Sequence, residues 1–159
     1  MVSISPFLWF DDEAEEAATF YVSLFPNSTL GDISRAPSGV PDVRPGAAFL
    51  VSFTLDGIPV QALNAGPQFP HTEAFSFFVE VDSQEEIDRY WDALIENGGQ
   101  PSQCGWLKDR WGLSWQIVPR QLGQLQSSPD RARANAAMQA MFGMQRLVIA
   151  DLQAAFDAA

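Results

Sequence analysis

The sequence predicts an α+β fold in which two pseudo-symmetric βαβββ units form a curved mixed sheet around a cleft, followed by C-terminal helices. Two coincidences and one ordering carry this reading. Glu15-Glu16, Phe20-Tyr21, Leu24 and Asn27 recur as Glu85-Glu86, Tyr90-Trp91, Leu94 and Asn97, always 70 residues later. Gly57 and Gly112 each follow a turn and open an alternating apolar segment, with a glutamine, Gln61 or Gln116, four residues on. Around both helical stretches the order of signals is the same: strand, helix, three strands.

Each element has its own local cause. Ile4 to Phe10 is a short apolar run ending at Asp11, and reads as a strand. Glu13 to Phe25 places Ala14, Ala17, Ala18, Tyr21, Leu24 and Phe25 at helical spacing, with acidic residues in the first turn, where the helix dipole favours them. Ser28 to Arg35 reads as a strand, and Ala36 to Gly46, with three prolines and two glycines, as a loop or a lid. Ala47 to Leu55 and Ile58 to Asn64 form a hairpin about Asp56-Gly57. After a loop containing the sole histidine, His71, the segment Glu73 to Val81 alternates as a strand. Asp82 to Asn97 is helical, opened by a capping box of Ser83 and Glu86 and closed by Gly98-Gly99. Asp109 to Gly112 reads as a tight turn, and Leu113 to Val118 as the strand behind it. Lys108, Asp109 and Arg110 are expected at the hairpin tip, facing solvent.

The remainder is helical. Pro129 to Met144 is expected to be a helix capped by Ser128, and Asp151 to Ala158 a shorter one. Their Ala- and Met-rich faces need cover, either from the protein's own sheet edge or from a second copy. A homodimer is the favoured expectation. The units are placed at 1–66 and 72–120, with the helical extension at 128–159, in a single domain.

Composition bounds the function. The 159 residues are 47% apolar, with 12 Phe and 5 Trp, enough for a packed interior. A formal charge of −11 excludes nucleic acid and anionic membranes as natural partners, since both need a basic surface. A lone cysteine, Cys104, excludes an internal disulfide and a cysteine metal cluster. No basic leader and no membrane-length apolar run is present, so a soluble, cytoplasmic protein is expected.

Three stretches resemble a known family. Leu8-Trp9-Phe10-Asp11 with Ala14-Glu15-Glu16-Ala17 and Leu24-Phe25-Pro26 is similar to the opening of PhnB-like proteins. Ala62-Leu63-Asn64-Ala65-Gly66-Pro67 and the run Cys104 to Pro119 resemble their internal hallmarks, and Met138-Gln139-Ala140-Met141 their C-terminal helix. The resemblance spans nearly the whole chain. It implies membership of the vicinal oxygen chelate group, with glyoxalase I, extradiol dioxygenases and bleomycin-binding proteins, built from paired βαβββ units. Many such sequences carry a demethylubiquinone methyltransferase-like label, which implies S-adenosylmethionine. No Gly-rich strand-to-helix turn of the nucleotide-cradling kind accompanies it.

In metal-using members four His or Glu ligands enter the cleft from the first and last strands of each unit. The matching places here are Ser5 (Pro6 if the register slips), Gln61, Ser76 and Gln116, which supply no charge. The resemblance therefore implies a cleft without metal or cofactor, floored by Gln61, Ser76 and Gln116 and ringed by Trp9, Phe78 and Trp106. Directional amides and hydroxyls on an apolar wall suit a small, partly apolar molecule. The alternatives are an isomerase, lyase or transferase with an altered site, working through Glu80, Cys104 or His71, and a vestigial site closed by Gln61 bonding Gln116. A pure interaction module dimerising through its C-terminal helices is a third.

Overall fold

The chain begins with β1 (Phe7–Phe10), passes through Asp11 to Glu13 into α1 (Ala14–Leu24), and continues as β2 (Thr29–Arg35), β3 (Ala48–Leu55) and β4 (Ile58–Asn64). These coordinates come from a computed structural model describing all residues, Met1–Ala159. Contacts divide the chain into two units, Met1–His71 and Thr72–Ala159. In the first, the sheet order is β1-β4-β3-β2, with β1 parallel to β4 and the other pairs antiparallel. The parallel pair is possible because α1 carries the chain back between its strands. Leu8 and Ala62 pair across β1–β4, and Phe53 and Val60 across β3–β4, so their side chains share the face that α1 covers. That face and the Ala14, Ala17, Ala18 and Tyr21 stripe of α1 are buried. Small alanines let the helix approach closely, while Tyr21 reaches the Phe53 ring at 6.4 Å.

The second unit repeats the plan with β5 (Ser76–Val81), α2 (Gln84–Ile95), β6 (Gln100–Pro101), β7 (Trp106–Lys108) and β8 (Ser114–Pro119). Its order, β5-β8-β7-β6 with β5 parallel to β8, is that of the first unit element for element. Ser83 caps α2 and Glu86 returns the bond, the capping box expected there. Ile87, Tyr90, Trp91 and Leu94 bury against β7 and β8, where Leu107, Trp115 and Ile117 are 1% exposed or less. Burial of side chains of this size stabilises by roughly 1.5–3 kcal/mol each. The duplication read from the two glycines holds in the backbone: Gly57 and Gly112 have φ of 78° and 83°.

Several boundaries move. The strand expected from Ile4 starts at Phe7, and that from Glu73 starts at Ser76. The first hairpin turns through Asp56 and Gly57 alone, both with positive φ. The second does not turn tightly: Lys108 pairs with Ser114, and Asp109 to Leu113 form a longer loop, so Leu113 belongs to the turn. Asp109 is the cause, because its carboxylate accepts the backbone N–H of Trp111 at 2.9 Å and of Leu113 at 3.1 Å. It is 3% exposed, which corrects its expected place on the solvent face.

Beyond β8 the chain forms α3 (Arg120–Gln126), which the apolar pattern did not reveal, then α4 (Arg131–Phe142) and α5 (Ile149–Asp157). The cap of α4 is Asp130, whose side chain accepts from Arg133 N, rather than Ser128. Leu122, Leu125, Ala137, Leu147 and Leu152 gather with Val118 into a core against which Met141, Met144 and Phe156 pack. Met141 and Met144 thus pack on the protein's own β8 and α3, while Phe142 stays 52% exposed. No helix is long and apolar enough to cross a membrane.

Candidate functional site

One face of each sheet is taken by its helix; the other is where the notable side chains stand. In the second unit, Trp106 pairs with Gln116 and Phe78 with Gln116, so all three project from the face opposite α2. Ser76 joins them two residues before Phe78, and Gln116 Nε2 donates to Ser76 Oγ at 2.9 Å. That bond fixes the amide and leaves its oxygen as an acceptor for a ligand. Phe78 is 57% exposed, unusual for a phenyl ring on a sheet and a first sign of a binding surface.

This face is not open along its whole length. The α3 and α4 helices rise beside Val118 and wall a pocket of about 240 Å³ with Leu122, Gly123, Gln126 and Met141 on one side, Phe78, Trp106 and Gln116 on the other. Cys104 and Glu80 reach its rim. Cys104 has φ of 59° and sits in a turn tied down by two bonds, Cys104 N to Met144 O and Gly105 N to Gln145 O, each 2.8 Å. Glu80 is held by the Arg120 guanidinium, which also binds Asp82. Four of the expected residues, Ser76, Phe78, Trp106 and Gln116, therefore share one face. Sequence reasoning missed the opposite wall. Leu122 and Leu125, three apart, were its available signal.

The other two expected residues, Trp9 and Gln61, stand on the corresponding face of the first sheet. Phe7 pairs with Gln61 and Trp9 with Leu63, all pointing away from α1. Trp9 is anchored rather than free: Nε1 donates to Gly66 O at 2.8 Å, and its ring meets Phe69 edge-on at 4.9 Å. His71 is half-buried with its ring edge-on to Phe10 at 5.0 Å, not simply solvated in its loop.

Neither a metal nor a nucleotide-type cofactor fits these residues. At the places matching metal ligands, Gln116 turns an N–H donor toward Ser76 and no carboxylate or imidazole is present. No group of three or more His, Cys, Asp or Glu is arranged to hold an ion. Helix N-termini could serve an anionic cofactor, yet in each crossover helix a side chain already takes one first-turn amide. Ala14 N donates to Asn64 Oδ1 at 2.8 Å, and Glu86 N to Ser83 Oγ at 3.2 Å.

The sequence profile of the 3-demethylubiquinone-9 3-methyltransferase family matches residues 2–118. The chain belongs to that family. A Bacillus cereus PhnB protein carrying the same designation is 32% identical, covering 74% of this chain and 99% of its own, with a TM-score of 0.67. A Pseudomonas aeruginosa protein, PA1353, is 23% identical over 75% of this chain and 98% of its own, with a TM-score of 0.61. The fosfomycin resistance protein FosX of Listeria monocytogenes shares the fold at 14% identity, covering 77% and 94%, with a TM-score of 0.55. Nothing matches among curated proteins. The fold is glyoxalase-like, with paired βαβββ units and added C-terminal helices. The family profile ends at residue 118, short of the Met138–Met141 stretch expected to belong to it. The α3 and α4 wall of the pocket thus lies outside the part matched to the demethylubiquinone methyltransferase family.

Proposed function

We propose that this chain binds a small, partly apolar molecule in the pocket between the outer face of β8 and helices α3 and α4. The observation that supports it is the composition of that pocket. Phe78, Trp106, Val118, Leu122 and Met141 give an apolar enclosure, and Gln116, oriented by Ser76, gives one directional polar contact. Apolar walls supply affinity through burial, and a fixed amide supplies orientation. A pocket of about 240 Å³ suits one or two fused rings rather than a chain or a macromolecule.

Methyl transfer, which the family designation names, finds no support in the strand-to-helix turns, where Asn64 and Ser83 each take a first-turn amide and neither turn is glycine-rich. The altered-site enzyme reading would rest on Cys104 and Glu80 at the rim, and Glu80 is committed to Arg120. Binding is therefore the reading adopted. Titration calorimetry with neutral bicyclic probes, indole and naphthalene-2-carboxamide, tests it. Saturable binding weakened roughly tenfold by Phe78→Ala, the loss of about 1.4 kcal/mol of ring burial, is expected. Absence of binding by both probes, or binding unchanged in Phe78→Ala and Trp106→Ala, would overturn it.

A further inference from the structure

The same sheet face continues past Trp106 into a second, polar hollow of about 110 Å³, and Trp106 lines both. Its floor is Ser114, fully buried, whose Oγ has no hydrogen-bond partner in the protein. A buried hydroxyl without a partner is costly, so such a group marks a place where a ligand atom is wanted. Directly across the β7–β8 pair from Ser114 stands Lys108, the ammonium nearest it on that face. The Lys108 side chain is one-third exposed and its Nζ meets Glu73 Oε1 at 2.7 Å, where the Glu73 side chain is 64% exposed on the turn before β5. An ammonium has only donors to give, and the Ser114 hydroxyl has a donor unused. The group that answers both is an acceptor carrying negative charge.

We propose that the ligand of this chain is an amphipathic anion, its carboxylate bound by Lys108 and Ser114 in the polar hollow and its apolar body lying past Trp106 in the larger pocket. This rests on the binding reading above and adds the charge, the orientation and the length of the ligand. From Ser114 to Gln116, which lines the larger pocket, is two residues of strand, so the carboxylate and the far end of the ring system are about 7 Å apart. Glu73 acts as an internal competitor: its carboxylate holds the lysine until the ligand's own carboxylate displaces it. The protein's charge of −11 opposes anions at a distance, which makes the local pair of donors the source of selectivity.

The sign of one substitution separates this from a structural ion pair. Calorimetry would compare naphthalene-2-carboxylate with the neutral, near-isosteric naphthalene-2-carboxamide. In the unaltered protein the carboxylate is expected to bind at least tenfold more tightly. Lys108→Met should close that gap while leaving the carboxamide unchanged, and Glu73→Gln should tighten the carboxylate severalfold by removing the competitor. Both side chains are partly exposed, and thermal unfolding of each variant reports that the fold persists. Equal affinity for the two probes, or a Glu73→Gln variant that binds the carboxylate less well, would overturn the anion site and leave apolar binding standing. Failure of both probes would overturn both.

Discussion

Trp115 Nε1 donates to Asp109 Oδ2 at 2.9 Å, joining the fully buried indole of β8 to the carboxylate that organises the loop before it. The same carboxylate, through Oδ1, accepts two backbone amides. One side chain thus closes the hairpin and satisfies the fully buried indole of Trp115. Asp109→Ala should cost roughly 3 kcal/mol or more, because three donors lose their acceptor inside the protein. Asp109→Asn should cost less, since an amide oxygen can keep part of the set. Urea unfolding followed by tryptophan fluorescence checks both, and an Asp109→Ala variant as stable as the parent would contradict the assignment.

Gly105 and Gly123 should respond to alanine in opposite directions. Gly105 has φ of 84°, and a Cβ there would stand 2.9 Å from Ile117 O and 3.1 Å from the Leu147 side chain. Gly105→Ala combines backbone strain with overpacking and should destabilise by about 2–4 kcal/mol. At Gly123, inside α3, nothing lies within 4 Å of the added methyl. Gly123→Ala should stabilise by roughly 0.5–1 kcal/mol through helix propensity. Denaturant midpoints of the two variants give the comparison directly.

Glu73 titrates below the ordinary glutamate value of 4.5, chiefly because Lys108 hydrogen-bonds its carboxylate. A carboxyl lowered by folding contributes stability that is present above its unfolded pKa and is lost as pH falls through its lower folded pKa. The pair is exposed, so the stability change is small, but the titration itself is readable. Carboxyl NMR should show Glu73 returning toward 4.5 in Lys108→Met. If Glu73 titrates identically in both proteins, the ion pair is not populated in solution.

The two crossover helices are predicted to tolerate loss of their caps unequally. Ser83→Ala removes one side of a local capping box and should cost about 1 kcal/mol. Asn64→Ala removes a bond to Ala14 N at 2.8 Å and two Nδ2–H bonds, to Asp12 O and Ala48 O, each 3.1 Å. With Asn64 only 2% exposed, the Ala14 and Ala48 groups find no water, and the cost should reach about 3 kcal/mol. Equal destabilisation of the two variants would contradict the structure.

Periodicity made most of the architecture legible. The offset of 70 between α1 and α2, the glycines at 57 and 112, and the Ser83–Glu86 box all foretold real features. What escaped was set by distant contacts. A Lys-Asp-Arg sequence reads as an exposed tip, and only the arrival of Trp115 and two amides explains why Asp109 is buried. The α3 helix offers just Leu122 and Leu125 to a pattern search, so the wall it contributes to the pocket was invisible. Ser76, Phe78, Trp106 and Gln116 were legible as neighbours because strand alternation fixes which side chains share a face. Which face would also carry an orphaned hydroxyl at Ser114 depends on packing that no local signal encodes.

Asn64 also sets an order of assembly. The bond that starts α1 spans 50 residues, whereas the one that starts α2 spans three. Closing a long loop costs more chain entropy than closing a turn. The first turn of α2 can therefore form as soon as its own residues meet, while that of α1 must wait for the end of β4 to return. Halves that match strand for strand thus follow different timetables, the earlier sequence being the later to lock.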